Sequence, residues 1–286
     1  VDGEVEIRDL GVDDVDSLIA CIRACYAESY TDSAFYDAGR LRADLTSGRL
    51  LCVGGVADHR VIGNIGTRIF EPGGPVAEMV AGVVHPEYRG RGLTTQIGAR
   101  MVARLQQEGI VGVRQFVTGA HDRSQRLIVA SGGVPTGVLL GHVPAETKYR
   151  GIDHGFGGAR IAVIVYCQTY GQLDPLDVYL PERYAQARTI YEELHVRRRW
   201  LAPSVDAHLD DWTGSIDHDH RVGLTHVRFG TLAGSSRRPT AELLSRLCAS
   251  SEPVAYVDVP VTDPRSAIVV DVLRHDGFIF GAVLPG

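Results

Sequence analysis

Apolar and polar positions alternate from Val5 to Leu10 over the length of a short strand, and Val15, Leu18, Ile19, Ile22 and Tyr26 then recur at helical spacing. Leu41 and Leu45 mark a second short helix that Gly48 stops. Arg49 to Ala57 and Val61 to Phe70 are strand-like runs on either side of Asp58-His59-Arg60, the pattern of a hairpin. After the break Pro72-Gly73-Gly74-Pro75, Val76 to Val84 adds a third strand. Ile97, Met101 and Leu105 fall four residues apart and predict a helix closed by Gly109. Val111 to Thr118 then reads as a strand, Ser124 to Ser131 as a helix ending at Gly132-Gly133, and Gly137 to Val143 as a strand. The order β-α-α-β-β-β-α-β-α-β describes an antiparallel meander followed by one βαβ-like crossover. Residues 1–150 are therefore expected to be one domain of α+β, or mixed α/β, class.

The glycine-rich stretch Gly151 to Gly158 suits an interdomain linker, so a second domain is expected over residues 159–286. Its pattern predicts strand Ile161 to Gln168, helix Pro181 to Leu194, strand Val222 to Phe229, helix Thr240 to Cys248, strand Val254 to Val261, helix Ser266 to His275 and strand Phe278 to Leu284. The segment from Gly133 to Gly141 and that from Gly277 to Pro285 pair two glycines with an apolar run at the same place in the helix-to-strand order. That echo points to an internal duplication.

Composition narrows the classes. The 286 residues exceed the roughly 150 typical of one domain. With 44% hydrophobic and 22% charged residues the chain can bury a core, which excludes disorder, collagen-like repeats and coiled coil. The net charge is -6 and the longest basic run is Arg197 to Arg199, so a nucleic-acid phosphate track is not expected. Lys148 is the only lysine, the mark of codon bias in a GC-rich genome. The cysteines Cys21, Cys25, Cys52, Cys167 and Cys248 show no CxxC spacing and fit reduced thiols of a cytosolic protein. No apolar run approaches the roughly 20 residues of a membrane span and the start of the chain has no signal-peptide pattern, so a soluble, cytoplasmic protein without membrane partners is expected.

Candidate chemistry concentrates in Arg89-Gly90-Arg91-Gly92-Leu93-Thr94, between a strand and an amphipathic helix. Glycines there let backbone approach a ligand, and the helix N-terminus favours an anion, so a phosphate or pyrophosphate cradle is the direct physical reading. A tight turn with two solvated arginines is the plain alternative. The chain lacks GxxxxGK[ST], and the acidic residue that a dinucleotide fingerprint requires is absent from Val111 to Thr118, so P-loop and Rossmann sites are disfavoured.

The stretch from Val84 to Thr94 resembles the acetyl-CoA loop of the GNAT family of N-acetyltransferases. The family pattern falls on Arg89, Gly92 and Thr94, with Thr94 in place of a smaller residue, and the element order agrees over residues 5 to 145. The resemblance implies a GNAT fold and acetyl-CoA as acyl donor. It also implies that amides of Arg89, Gly90, Arg91, Gly92, Leu93, Thr94 and Thr95 hold the pyrophosphate while the edge of Gly82, Val83 and Val84 pairs with the pantetheine arm. Glu78 matches the position of the family's base glutamate; it is either a carboxylate partly desolvated amid Met79, Val80 and Val83 or an edge-strand side chain facing solvent. A backbone amide near Val84 would face the oxyanion. The tyrosine that often acts as acid is missing, since Ile128 or Val129 occupies its place. Three courses remain: the thiolate leaves unprotonated, Tyr88, Tyr149 or Tyr166 substitutes, or transfer is lost.

Other candidates rank lower. His85 and His121 flank the loop and could be bases or structural histidines. Asp217-His218-Asp219-His220 has metal-ligand chemistry, but contiguous residues seldom converge on one ion and a solvated loop is preferred, with no metal expected. Cys21 and Cys25 share a helix face and suit core packing. In the second unit Ser235-Ser236-Arg237-Arg238 lacks the Gly-x-Gly approach and Pro239 removes an amide, so a degenerate copy that does not hold CoA is expected, a wall for the acceptor pocket or a homodimer surface. Asp206, Asp210, Asp211, Asp217 and Asp219 would suit a cationic amine, or are simply solvated. The function expected is acetyl transfer to a small-molecule amine, an antibiotic being one candidate. Its rivals are an acyl-CoA-binding regulatory protein, and a related-fold enzyme using malonyl-CoA or a carrier protein.

Overall fold

The structure is a computed structural model that describes residues 4–70, 73–152, 158–203, 213–229 and 238–284, with backbone alone at 238–240. The chain opens with β1 (Glu6–Asp9), tied by a bidentate Arg8–Asp14 pair at 2.7 and 2.8 Å to the turn that starts α1 (Val15–Tyr26). Asp37 caps α2 (Ala38–Thr46) by accepting the Arg40 N–H, one of the donors a helix start leaves unsatisfied. The meander is β2 (Leu50–Ala57), β3 (Arg60–Ile69) and β4 (Val76–Val84). Asp58 and His59 join the first two with φ of +47° and +59°. Positive φ at both positions gives a turn whose twist matches the hairpin, and Asp and His tolerate it better than branched residues.

There follow α3 (Leu93–Gln107), β5 (Gly112–Thr118), α4 (Arg123–Ala130), β6 (Val134–Val143) and β7 (Ile161–Thr169). These strands form one sheet in the order β1-β2-β3-β4-β5-β7-β6, antiparallel except for the β4–β5 pair. Leu18, Ile22, Phe35, Leu41 and Cys52 pack one face, under α1 and α2. Ile97, Met101 and Leu105 of α3 pack the other against Val53, Ile62 and Val113. With both faces covered, β2 and β3 are buried nearly throughout.

One boundary differs from the expectation. The strand expected at Ile161 to Gln168 to open a second domain is β7, which lies between β5 and β6 and pairs with both, so the boundary between units does not fall before it. A strand buried on both faces carries no mark of which sheet it joins, which is why the apolar run could not be assigned from sequence. The chain divides into two compact units, one of residues up to 139, 143–173 and the last few, the other of 140–142 and 174–283.

The second unit contains β8 (Leu176–Val178), α5 (Gln186–Glu193), β9 (Arg198–Trp200), β10 (Thr213–Asp219), β11 (Leu224–Phe229), β12 (Arg238–Pro239), α6 (Thr240–Cys248), β13 (Val254–Asp258) and α7 (Ser266–His275). A sheet of order β12-β10-β11-β13 packs on α6 and α7 through Val227, Phe229, Leu243, Leu247, Val269 and Leu273. The antiparallel pair β10–β11, then α6, then β13 parallel to β11, then α7 repeats the order β3–β4, α3, β5, α4. The expected strand Phe278 to Leu284 does not form; that segment holds a single bridge at Ala282.

Close packing inside the first sheet yields a stability test. A Cβ on Gly54 would stand 2.8 Å from Leu10 Cδ1 and 2.9 Å from the Gly63 carbonyl oxygen. Gly54→Ala is expected to destabilise the first unit by about 1–3 kcal/mol, measured by denaturant unfolding, since a backbone oxygen cannot move aside as a side chain does.

Candidate active site

The site begins with a fault in β4. Asn64 pairs with Val83 and Gly66 with Val80, so Ile65 alone faces both Ala81 and Gly82, a β-bulge. Ala81 has φ of +49°. Both of its peptide groups are held by side chains: its N–H donates to Tyr30 Oη at 2.8 Å, and its carbonyl accepts from Asn64 Nδ2 at 2.9 Å. Pairing of β4 with β5 ends just before the bulge, at Met79 and Gln115, while β5 continues along β7 to Thr118. The two strands therefore part, and a cleft of about 410 Å³ opens beside Gly82, Val83 and Val84. His85 N–H donates to the Ile62 carbonyl across the hairpin at 2.8 Å. By strand alternation the amide of Val84 then faces away from β3, toward the cleft.

The cleft runs from this edge to the loop before α3, where Tyr88, Arg89, Gly90, Gly92, Leu93 and Thr94 line it. Gly90 and Gly92 have φ of +79° and +73°, and a Cβ on either, or on Gly82, would meet nothing within 4 Å. These are positions where backbone is left open for a ligand to approach. Gly92 is also the N-cap of the fifteen-residue α3, so the first-turn amides and the positive end of the helix dipole are directed there. A diphosphate fits this cradle.

The arginines of the loop serve otherwise. Arg89 Nε donates to the Val84 carbonyl at 3.1 Å and its Nη1 to the Arg150 carbonyl at 2.6 Å, so the side chain fastens the loop to the end of β4 and to the segment after β6. Arg91 lies over the Tyr88 ring at 5.1 Å. Neither Arg91 nor Thr95 lines the cleft, unlike the other expected contacts from Gly82 to Thr94.

The far wall comes from α4 and from residues 149–152. Arg123, Ser124 and Leu127 face the cleft, whereas Ile128 is buried behind it and Val129 is exposed. No tyrosine stands on α4. Of the three tyrosines considered as substitutes, Tyr88 and Tyr149 line the cleft, while Tyr166 packs against Val117 and Ile128. Tyr149 Oη shares a hydrogen bond with Thr118 Oγ1 at 2.9 Å. Burial pushes its phenol pKa up. The backbone before and after Tyr149 is moored to the end of α1, Lys148 N–H to Ser29 Oγ at 2.8 Å and Arg150 N–H to the Cys25 carbonyl at 2.9 Å. His121 lines the same wall, and burial together with Arg123 lowers its pKa, which keeps it neutral. His85 instead caps the turn at Pro86, its Nδ1 accepting the Glu87 N–H at 3.4 Å.

Glu78 stands below the bulge and outside the cleft lining. It pairs across the sheet with Arg68 on one side and Arg114 on the other. Arg114 Nε donates to its Oε2 at 2.9 Å, and the carboxylate is 17% exposed. Met79 packs on the α3 face and Val80 and Val83 on the α1 face, and the carboxylate sits beside a guanidinium rather than in an apolar pocket or open solvent. Arg114 is itself stacked over Phe70 at 4.4 Å, and Arg68 pairs with Asp32 at 2.6 Å.

Cys21 and Cys25 are buried in the α1 core as expected, and Cys25 also reaches the cleft, its Sγ 3.4 Å from the Val84 carbonyl. Asp217, His218 and Asp219 lie on β10 rather than in a loop. Asp217 pairs with Arg228 and His218 with Thr225, and no metal-binding cluster occurs among the described residues. Asp206, Asp210, Asp211 and residues 235–237, with the side chains of Arg238 and Pro239, fall outside the described residues. No helix among the described residues is long and apolar enough to cross a membrane.

Sequence reasoning missed Tyr30 and Asn64. A polar Asn inside the apolar run Ile62 to Ile65 was the available signal.

Residues 15–132 match the model of the Acetyltransferase (GNAT) family. No match was found among curated proteins. Among solved structures, the chain is similar to a PaiA N-acetyltransferase from Thermoplasma acidophilum in complex with coenzyme A, at 19% identity and TM-score 0.43 over 58% of this chain and 99% of that one. It is similar to the ribosomal-protein-S18-alanine N-acetyltransferase from Escherichia coli at 12% identity and TM-score 0.48, over 60% and 97% of the two chains. An N-acetyltransferase from Staphylococcus aureus Mu50 gives 14% identity and TM-score 0.47, over 59% and 99%.

Proposed function

We propose, from the match of residues 15–132 to the GNAT acetyltransferase family, that the chain transfers the acetyl group of acetyl-CoA to a primary amine of a small molecule. The observation that carries the reading is the cleft itself, where the edge of β4 at Gly82 to Val84 has parted from β5 and leads to a glycine-lined helix N-terminus. An acetyl thioester supplies an activated carbonyl and a thiolate leaving group. The first-turn amides of α3 hold its diphosphate, and the edge of β4 takes the pantetheine amides as a further strand would. The Val84 amide faces the oxygen on which charge develops. Glu78 takes the proton from the amine, directly or through a water. Tyr149 returns a proton to the leaving sulfur, its raised pKa keeping the phenol protonated.

That last role is tested by Tyr149→Phe, which is expected to lower kcat by about 10- to 100-fold. An unchanged rate would mean that the thiolate leaves unassisted.

The whole reading is tested by thiol release from acetyl-CoA against a panel of primary amines. Steady release with at least one amine supports it. Tight acetyl-CoA binding by calorimetry with no release on any amine would favour an acyl-CoA-binding regulatory protein, the rival that the tyrosine-free α4 and the Glu78–Arg114 pair recommend. Release from malonyl-CoA alone, or only onto a carrier protein, would redirect the donor or acceptor assignment. The second unit is read as a partial copy of the first, supported by the repeated order of β10, β11, α6, β13 and α7.

A further inference from the structure

Resting on the acetyl-transfer reading, we propose that Tyr30 and Asn64 are positioning residues, a clamp on the N–H and the carbonyl of Ala81 that holds the β4 bulge in place and so sets the strand edge against which the thioester carbonyl is polarised. A non-glycine residue with positive φ persists only where its surroundings over-determine it. Ala81, at +49°, has its N–H held by Tyr30 Oη and its carbonyl by Asn64 Nδ2. Neither bond belongs to the β-ladder. They stand just past Met79, where the pairing of β4 with β5 ends.

The clamp is itself anchored. Tyr30 N–H donates to Tyr36 Oη at 2.9 Å, and its ring packs on Tyr26 and Phe35 with centroids 5.0 and 5.7 Å apart. Asn64 is fully buried, and its Oδ1 has no hydrogen-bond partner among the described residues. A buried acceptor left unpaired is unfavourable. An amide chosen for stability alone would not carry it; the Nδ2 donor is what the position uses. The cleft edge begins at Gly82, the residue after Ala81, so a shift of the bulge moves the Val84 amide relative to a ligand whose diphosphate stays fixed at α3.

The test uses acetyl-CoA labelled with ¹³C at the thioester carbonyl, bound to the whole chain without an acceptor, and reads the carbonyl stretch by difference infrared spectroscopy. The wild-type protein is expected to shift the stretch below its solution frequency. Tyr30→Phe and Asn64→Leu are each expected to return it toward the solution value and to lower kcat about tenfold or more. CoA affinity is expected to stay within about threefold, because the amides of the α3 first turn, which supply most of the anion binding, are unaltered. Tyr30→Phe removes a single oxygen, and Asn64→Leu also removes the orphaned acceptor, so thermal midpoints serve as the folding control. An unshifted carbonyl on the wild-type protein, variants that keep the wild-type frequency and kcat, or variants that lose CoA affinity and thermal stability in step with kcat would each overturn the clamp. A wild-type protein that binds no acetyl-CoA overturns the acetyl-transfer reading and the clamp with it. One that binds and polarises the thioester equally well in all three forms overturns the clamp alone.

Discussion

Replacing Glu78 by Gln is expected to lower steady-state thiol release about 100-fold while leaving acetyl-CoA affinity unchanged. The separation of the two effects follows from where the residue stands. Glu78 lies on the stretch of β4 that still pairs with β5, below the bulge, and does not line the cleft that runs from Gly82 to the start of α3. Its loss therefore removes no contact that a CoA moiety could make there. The substitution is also gentle to the fold. Arg114 Nε donates to Glu78 Oε2 at 2.9 Å, and the amide oxygen of Gln accepts the same bond, so the β3–β4–β5 ladder of Arg68, position 78 and Arg114 stays in register. What Gln cannot do is take a proton from an ammonium acceptor. The measurement is a rate at saturating acetyl-CoA together with a calorimetric affinity. A Gln variant at full rate would remove Glu78 from the mechanism and leave it as the ion-pair partner that holds Arg114 over Phe70.

Much of this arrangement is legible in the sequence, and the parts that are not share a cause. Strands β2 and β3 are legible as near-continuous apolar runs because both of their faces are covered, and helix α3 as a four-residue repeat because one of its faces meets the core. The loop Arg89 to Thr94 was legible because its glycines are needed for backbone reasons, and φ of +79° and +73° at Gly90 and Gly92 bears that out. The strand Ile161–Thr169 was found but placed in the wrong unit, since apolar patterning records burial and not the identity of the neighbour. Glu78 was found but not its environment. Its partners Arg68 and Arg114 lie on two other strands, and only the register brings them level with it. The bulge and its clamp were least accessible. Ala81 carries no glycine signal for its positive φ, and Tyr30 and Asn64 are 51 and 17 residues away along the chain. In the second unit Asp217-His218-Asp219-His220 reads as a solvated loop, yet Asp217, His218 and Asp219 belong to β10, which is paired along its length with β11.

Gly82→Val is expected to abolish acetyl-CoA binding, raising Kd about 100-fold or more, with the thermal midpoint of the protein left nearly where it was. The two halves of that result come from different observations. A Cβ at position 82 meets no protein atom within 4 Å, and Gly82 is not among the residues with positive φ, so a side chain starts into open space without backbone strain, and a β-branched one suits an extended strand. The space it enters is the cleft, at the edge where the pantetheine arm is to lie. Filling it excludes the ligand outright, and the loss of both the strand-edge hydrogen bonds and the buried apolar contacts is worth several kcal/mol of affinity. Gly92→Ala supplies the contrast. It also faces open space, but φ of +73° at the N-cap of α3 charges any side chain with strain of about 1–2 kcal/mol, so this variant is expected to lose stability together with affinity. Calorimetry and thermal melts on the pair separate the two glycines. If Gly82→Val binds acetyl-CoA as the wild-type protein does, the ligand does not run along the edge of β4, and the catalytic assignments that depend on that path, Val84 and Tyr149, fall with it.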